Sequence, residues 1–251
     1  MIVYEHPLSE RVRTLLRLED LFGRFHCYES REVANDHHIA LLLVFEILEV
    51  ASRADLKSDL LQELDRQKQV LLALRGNPEI SEDALSHVLN QIESASTQLL
   101  QASGKLGQEL RDNEWLMSIK QRTVIPGGVC QFDLPSYYFW LQQSSDSRRQ
   151  ALNQWIAPFL PTRDAMQIVL KLLRGSSKAT QQIAQQGVYQ QMLGGRVAQM
   201  LRVSLDDQYN CVPEISANKY ALNIRFTVQE GAQRPKPAED DIAFELTFCA
   251  L

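Results

Sequence analysis

Ile125-Pro126-Gly127-Gly128-Val129-Cys130-Gln131-Phe132-Asp133-Leu134-Pro135 divides the chain into two kinds of sequence. Pro126-Gly127 is a turn signal, because proline presets the first central dihedral and glycine supplies the positive φ of the second. Cys130, Phe132 and Leu134 then alternate with Gln131 and Asp133, which predicts a half-buried strand over 129–134. Pro135 stops that strand and opens a helix carrying Tyr138 to Leu141, since its missing N–H costs nothing in a first turn. Working outward, the residues before the junction read as helix, and much of the chain beyond it reads as strand.

On the N-terminal side, Ser9 to Phe25 fits an amphipathic helix entered through Pro7 and capped by Ser9. Val12, Leu15, Leu16, Leu18, Leu21, Phe22 and Phe25 share one broad side. Arg13, Arg17 and Arg24 crowd the opposite side within about 40° of arc, joined there by Asp20. Residues 26–38 read as a connection whose histidines, His26, His37 and His38, are solvated loop residues: adjacent histidines do not converge on one ion, and no ligand partner stands at metal spacing. Ile39 to Ala51 is the most apolar helical segment and is assigned to the core.

Leu56, Leu60, Leu64, Leu71 and Leu74 form the seam of a further helix, which Gly76-Asn77-Pro78 ends. Ser81 caps the next, with Leu85, Val88, Leu89, Ile92, Leu99 and Leu100 as its seam. A short Gly/Pro loop between two such helices predicts an αα-hairpin, whose seams serve either a bundle within the chain or a second copy. Beyond the junction, residues 144–178 read as helix again. There six basic residues (Arg148, Arg149, Arg163, Lys171, Arg174 and Lys178) face two acidic ones, a local charge of +4.

From about Val188 the period changes to two. Leu201, Val203 and Leu205, then Tyr220, Leu222, Ile224, Phe226 and Val228, then Ile242, Phe244, Leu246 and Phe248 each alternate with polar or small residues. This predicts antiparallel strands with one dry and one wet face, the wet face carrying Lys219 and Arg225. Gly231 to Pro237 reads as a solvent loop. With a strand near Ile2 to Glu5, the whole predicts an α+β fold: an N-terminal helical bundle domain plus a C-terminal antiparallel β-sandwich-like domain. The expected boundaries are 9–120 for the helical, dimerising domain. Residues 1–8 with 121–251 make the β-domain, including a helical segment at about 136–178.

Composition narrows the function. The 251 residues are 45% hydrophobic and 23% charged with a net charge of −5, ordinary values for a globular chain and a poor match to general nucleic-acid binding. No apolar run approaches a membrane span and no secretory signal opens the chain, so a cytoplasmic location is expected. The four cysteines are scattered, which predicts reduced thiols and neither disulfide framework nor zinc site. No GxGxxG, P-loop, GxSxG, HExxH or EF-hand loop is present, so no catalytic residue, cofactor, metal or small-molecule substrate is predicted.

The motifs resemble the ZapD (Z-ring-associated protein D) family of cell division proteins. The family's opening, E-H-P-L-[NS]-E-[KR]-x-R-T-x-L-R-[IL]-E, is matched from Glu5 to Glu19. Its E-L-D-R-Q stands at Glu63 to Gln67, and its I-P-G-G-x-C-x-F-D-L-P at Ile125 to Pro135. Trp140-Leu141, Trp155-Ile156-Ala157, Tyr189-Gln190, Ile224-Arg225-Phe226 and Phe244-Glu245-Leu246 complete the match in order. The resemblance implies a non-enzymatic cytoplasmic homodimer with a helical and a β domain. Such a protein binds the C-terminal tail of the tubulin-like GTPase FtsZ and bundles its protofilaments into the Z ring at midcell. It also implies a basic partner-binding surface, matched here at Arg13, Arg17, Arg53, Arg174 and Arg225. Glu114 and Tyr138 depart from it, standing where another member has arginine and histidine. The alternative reading is a general scaffold or adaptor that binds another acidic peptide through the same surface.

Overall fold

The computed structural model describes residues 1–52, 55–102, 104–195, 197–229, 231 and 234–251. They form two compact units, Thr14–Val169 and a second made of Met1–Arg13 with Leu170–Leu251. The fold is α+β, with helices in the N-terminal part and antiparallel sheets in the C-terminal part.

The helices are α1 (Glu10–Glu29), α2 (Ala34–Ala51), α3 (Leu56–Leu72), α4 (Glu82–Gln101), α5 (Gln108–Arg111), α6 (Glu114–Thr123), α7 (Pro135–Leu141), α8 (Ser145–Ile156) and α9 (Leu160–Gly175). Ser9 caps α1 through its Oγ, which accepts from the Val12 N–H at 3.3 Å, and Ser81 caps α4 in the same way from Ala84. α2 is buried along most of its length at Leu41, Leu43, Val44, Ile47 and Leu48, as its unbroken apolar run requires. Leu60 and Leu64 of α3 and Leu85, Leu89, Ile92 and Leu99 of α4 are buried where these two helices form the predicted hairpin. Leu100, assigned to the same seam, is instead 64% exposed.

In the β unit, β1 (Ile2–Pro7), β4 (Met200–Leu205), β8 (Ile242–Cys249) and β2 (Thr180–Ala184) make one antiparallel sheet in that spatial order. β3 (Val188–Met192), β6 (Ala221–Val228) and β5 (Val212–Ala217) make the other, with β7 (Lys236–Pro237) also pairing with β6. The two dry faces meet at Leu201, Val203, Phe244 and Leu246 from the first sheet and Leu222, Ile224 and Phe226 from the second. The Phe244 ring lies 5.2 Å from Phe226 and 5.3 Å from Tyr189, so aromatic contacts lace one sheet to the other.

Several expectations are corrected. The Pro126-Gly127 turn forms as predicted: Gly127 has φ +72°, and the Gly128 N–H donates to Ile125 O at 2.9 Å. A Cβ on Gly128 would lie 2.6 Å from Arg122 O, so the second glycine is needed for space. The strand predicted over 129–134 does not form. Cys130, Asp133 and Leu134 close further turns onto Gly127 and Cys130, while Phe132 is 80% exposed. With no neighbouring strand to supply a ladder, the backbone satisfies its polar groups locally, and the alternation has no dry face to serve.

The units also divide at a different place from the expected boundary. Residues 121–169, assigned to the β-domain, cluster with the helices, because Tyr137, Trp140, Leu152, Ile156 and Phe159 are buried apolar side chains at helical spacing. The expected connection at 26–38 shrinks, since α1 runs to Glu29 and α2 starts at Ala34. Lys219 lies in a turn before β6, where Asn218 Oδ1 accepts from the Tyr220 and Ala221 N–H groups, so it does not share a strand face with Arg225. The Gly231 to Pro237 loop falls partly outside the described residues, and its Lys236–Pro237 pair sits beside β6.

Candidate interaction surface

Of the predicted arginines, Arg13, Arg174 and Arg225 lie in the β unit and Arg17 in the helical unit. Arg53 lies outside the described residues. Arg13 and Arg17 are one turn apart on α1. Arg13 donates to Glu10 one turn before it, and Arg24 lies 3.7 Å from Asp20. Arg17 is exposed and has no ion pair among the described residues. Surface pairs such as Arg13–Glu10 neutralise charge while adding little stability, so Arg17 is the uncompensated cation of the stripe.

Arg225 projects from the wet face of β6, directly opposite Glu214 of β5 and Val188 of β3. It is exposed, and among the described residues no ion pair ties it down. Arg174 differs. Its Nε donates to Glu5 Oε1 at 2.8 Å and its Nη2 to Glu5 Oε2 at 2.7 Å, a forked pair that holds the end of α9 to β1. Arg202 Nε stands 3.1 Å from the same carboxylate. Two cations thus share one anion beside the buried Cys249, whose thiol burial pushes up. The cluster keeps one surplus positive charge, but its geometry is that of a structural tie.

The arginines of the basic segment at 144–178 are largely spent within the fold, while Lys171 and Lys178 stay exposed. Arg148 is buried: its Nε donates to His37 Nδ1 at 2.9 Å, its Nη2 to Glu32 O at 2.6 Å and its Nη1 to Leu141 O at 3.1 Å and Gln143 O. Arg149 covers the buried Glu29 carboxylate at 3.8 Å, and Arg163 pairs with Asp164. His37 is therefore no loop histidine. It is fully buried, with Nε2 2.7 Å from Arg31 O. His38 Nδ1 lies 2.6 Å from the Tyr137 hydroxyl. Burial pushes the His38 pKa down and the Tyr137 pKa up. Tyr137 also stacks on Trp140 at 5.7 Å, within a cluster that includes Trp115 and Trp155.

No group of three or more His, Cys, Asp or Glu side chains able to hold a metal ion occurs among the described residues. No helix there is long and apolar enough to cross a membrane. The arrangement suits recognition of an anionic partner through exposed guanidinium groups. Sequence reasoning missed a further basic set, Lys57, Lys105 and Arg111, because its members are separated along the chain and only the fold brings them to one cavity.

The sequence profile of the ZapD family of cell division proteins matches residues 16–225. The chain belongs to the ZapD family. It is 61% identical over 251 residues to the cell division protein ZapD of Azoarcus sp. (strain BH72), with both chains covered completely. It is 56% identical over 251 residues to the ZapD of Aromatoleum aromaticum, covering all of this chain and 98% of that one. The ZapD of Chromobacterium violaceum is 56% identical over 250 residues, with 99% of each chain covered. Membership of ZapD carries a role in cell division, and the relatives match across both the helical and the β unit.

Proposed function

We propose that this protein is a non-catalytic cross-linker of division filaments. It binds the acidic C-terminal tail of FtsZ through exposed arginines and, as a homodimer in the cytoplasm, bridges protofilaments into the Z ring at midcell. Membership of the ZapD family supports the setting. The observation that carries the mechanism is Arg17, an exposed cation within the family's opening motif that no carboxylate neutralises among the described residues. Arg225 offers a second exposed guanidinium, and Arg13 a third once Glu10 is displaced. Arg53 belongs to the same set by its family position. Arg174 contributes field more than contact, because its fork is already spent on Glu5.

Bridging needs two tail sites in one particle, and a symmetric dimer supplies them from one sequence. The helical unit is the proposed dimer interface; its leucine seams are buried within the chain, and Val70 of α3 and Leu100 of α4 are the exposed apolar residues it offers to a second copy. Light scattering at micromolar concentration should give twice the 28.7 kDa chain mass. A monomer would remove the bridging mechanism. Sedimentation of FtsZ filaments with and without the protein, using FtsZ that lacks its tail as control, tests the partner: bundling should require the tail.

A further inference from the structure

In the helical unit, a cavity of about 520 Å³ is lined by Lys57, Lys105 and Arg111 together with Ser52, Ser58 and Gln108. None of its described lining residues is acidic. Lys57 Nζ donates to Ala102 O at 2.6 Å, and Arg111 Nη1 to Leu106 O at 3.0 Å, so both cations are anchored on the backbone of the loop that walls the cavity. Each uses one donor there and keeps the others. Glu49 feels the charge of Arg111 but is bonded to Lys120. Among the described residues no carboxylate forms an ion pair with Lys57, Lys105 or Arg111. Three uncompensated cations therefore converge on one concavity in a protein whose net charge is −5.

A second cavity of about 530 Å³ shares Lys57, Lys105 and Gln108 with the first and continues past Leu99, Glu109, Gln154 and Pro158. One compartment is cationic and hydroxyl-lined, and its neighbour mixes apolar surface with amide groups and a single carboxylate. Both volumes fall in the range of small-molecule sites, about 300–1,000 Å³.

We infer that these joined cavities bind a phosphorylated small molecule. Its phosphates sit on Lys57, Lys105 and Arg111, and its organic part lies against the half-buried Leu106 and Pro158. Lysine as a point charge and arginine as a fork are the usual phosphate ligands, and the Ser52 and Ser58 hydroxyls add neutral donors. The molecule is a ligand, with no chemistry assigned to it, and none of Arg13, Arg17 and Arg225 is among the described lining residues.

Calorimetric titration of the whole protein at low ionic strength with pyrophosphate, ATP and adenosine tests this. Pyrophosphate and ATP should bind saturably, ATP more tightly, and adenosine should not. Lys105→Glu changes an exposed side chain with no packing role, and it should weaken both phosphates at least about tenfold, the worth of one charge-assisted contact. Lys219→Glu, an exposed lysine of the β unit, should change neither. Arg111→Gln provides a second reading in the same wall. Absence of saturable phosphate binding, binding untouched by both cavity variants, or adenosine binding as well as ATP would each overturn the assignment.

Discussion

Arg174 and Glu5 are joined by two parallel hydrogen bonds of 2.8 and 2.7 Å, tying the C-terminal end of α9 to the first strand of the sheet. Arg202 approaches the same carboxylate at 3.1 Å. A residue that sequence placed on a binding surface is thus first a part of the fold. Glu5→Gln would leave the two arginines facing each other with weaker acceptors between them. It should destabilise the β unit by about 1–3 kcal/mol, the usual worth of charged hydrogen bonds at a half-buried site. Urea unfolding followed by circular dichroism reads this directly, and an unchanged midpoint would mean the fork contributes nothing net.

Arg148 offers the stronger structural case. Its removal orphans His37 Nδ1 and the carbonyls of Glu32, Leu141 and Gln143, all inside the helical unit. Arg148→Ala should cost about 3 kcal/mol, because the buried His37 Nδ1 loses its donor outright and three part-buried carbonyls lose theirs at once. Arg148→Lys should recover little, since one ammonium cannot span three directions. Tryptophan fluorescence is the natural probe, as Trp115, Trp140 and Trp155 form a single cluster in that unit.

Stability should also fall on mild acidification. The His38 pKa is held below its ordinary value of 6.5 by burial, and that of His6 by burial and then by the charge of Arg13. Below pH 6.5 the unfolded chain takes up protons at these sites before the folded chain does. The histidines' contribution is therefore complete above 6.5 and is lost as pH falls through the lower folded values. The slope of unfolding free energy against pH over that window should be shallower in His38→Gln. An identical slope would remove His38 from the account.

The sequence made some of this legible and hid the rest for physical reasons. Pro126-Gly127 was readable because a turn with positive φ depends on local sterics alone. The alternation at Cys130, Phe132 and Leu134 misled because a strand needs a partner, and pairing is not a local property. β2, β3 and β5 went unpredicted because they are edge strands, half-solvated and rich in glutamine or interrupted by Pro213. Charge was the least legible quantity. Arg148, Arg174 and Arg17 look alike in a sequence, yet one is buried, one is paired and one is exposed with no ion pair among the described residues, and only the fold distributes their carboxylates and carbonyls.

Filament bundling should weaken as salt rises. The proposed contacts are exposed guanidinium groups meeting an anionic peptide, and the screening length falls from about 10 Å at 0.1 M salt to about 3 Å at 1 M. Pelleting across that range should show progressive loss with no change in the circular dichroism of the protein itself. Salt-independent bundling would move the contact to apolar groups, with the exposed Tyr138 and Phe139 of α7 as the next candidates.

The central claim is that Arg17 contacts the acidic tail of FtsZ. Arg17→Glu reverses an exposed charge on the polar side of α1 and should cost no more than about 0.5 kcal/mol of stability. It replaces one attraction with one repulsion, so binding should suffer far more than folding. The most direct measurement is co-sedimentation of FtsZ filaments with Arg17→Glu, with Lys68→Glu on the hairpin helix α3 as control and light scattering to verify the dimer. The account predicts a normal dimer, bundling abolished or reduced at least about tenfold in Arg17→Glu, and bundling retained in Lys68→Glu. A dimeric Arg17→Glu protein that bundles FtsZ like the wild type would contradict it.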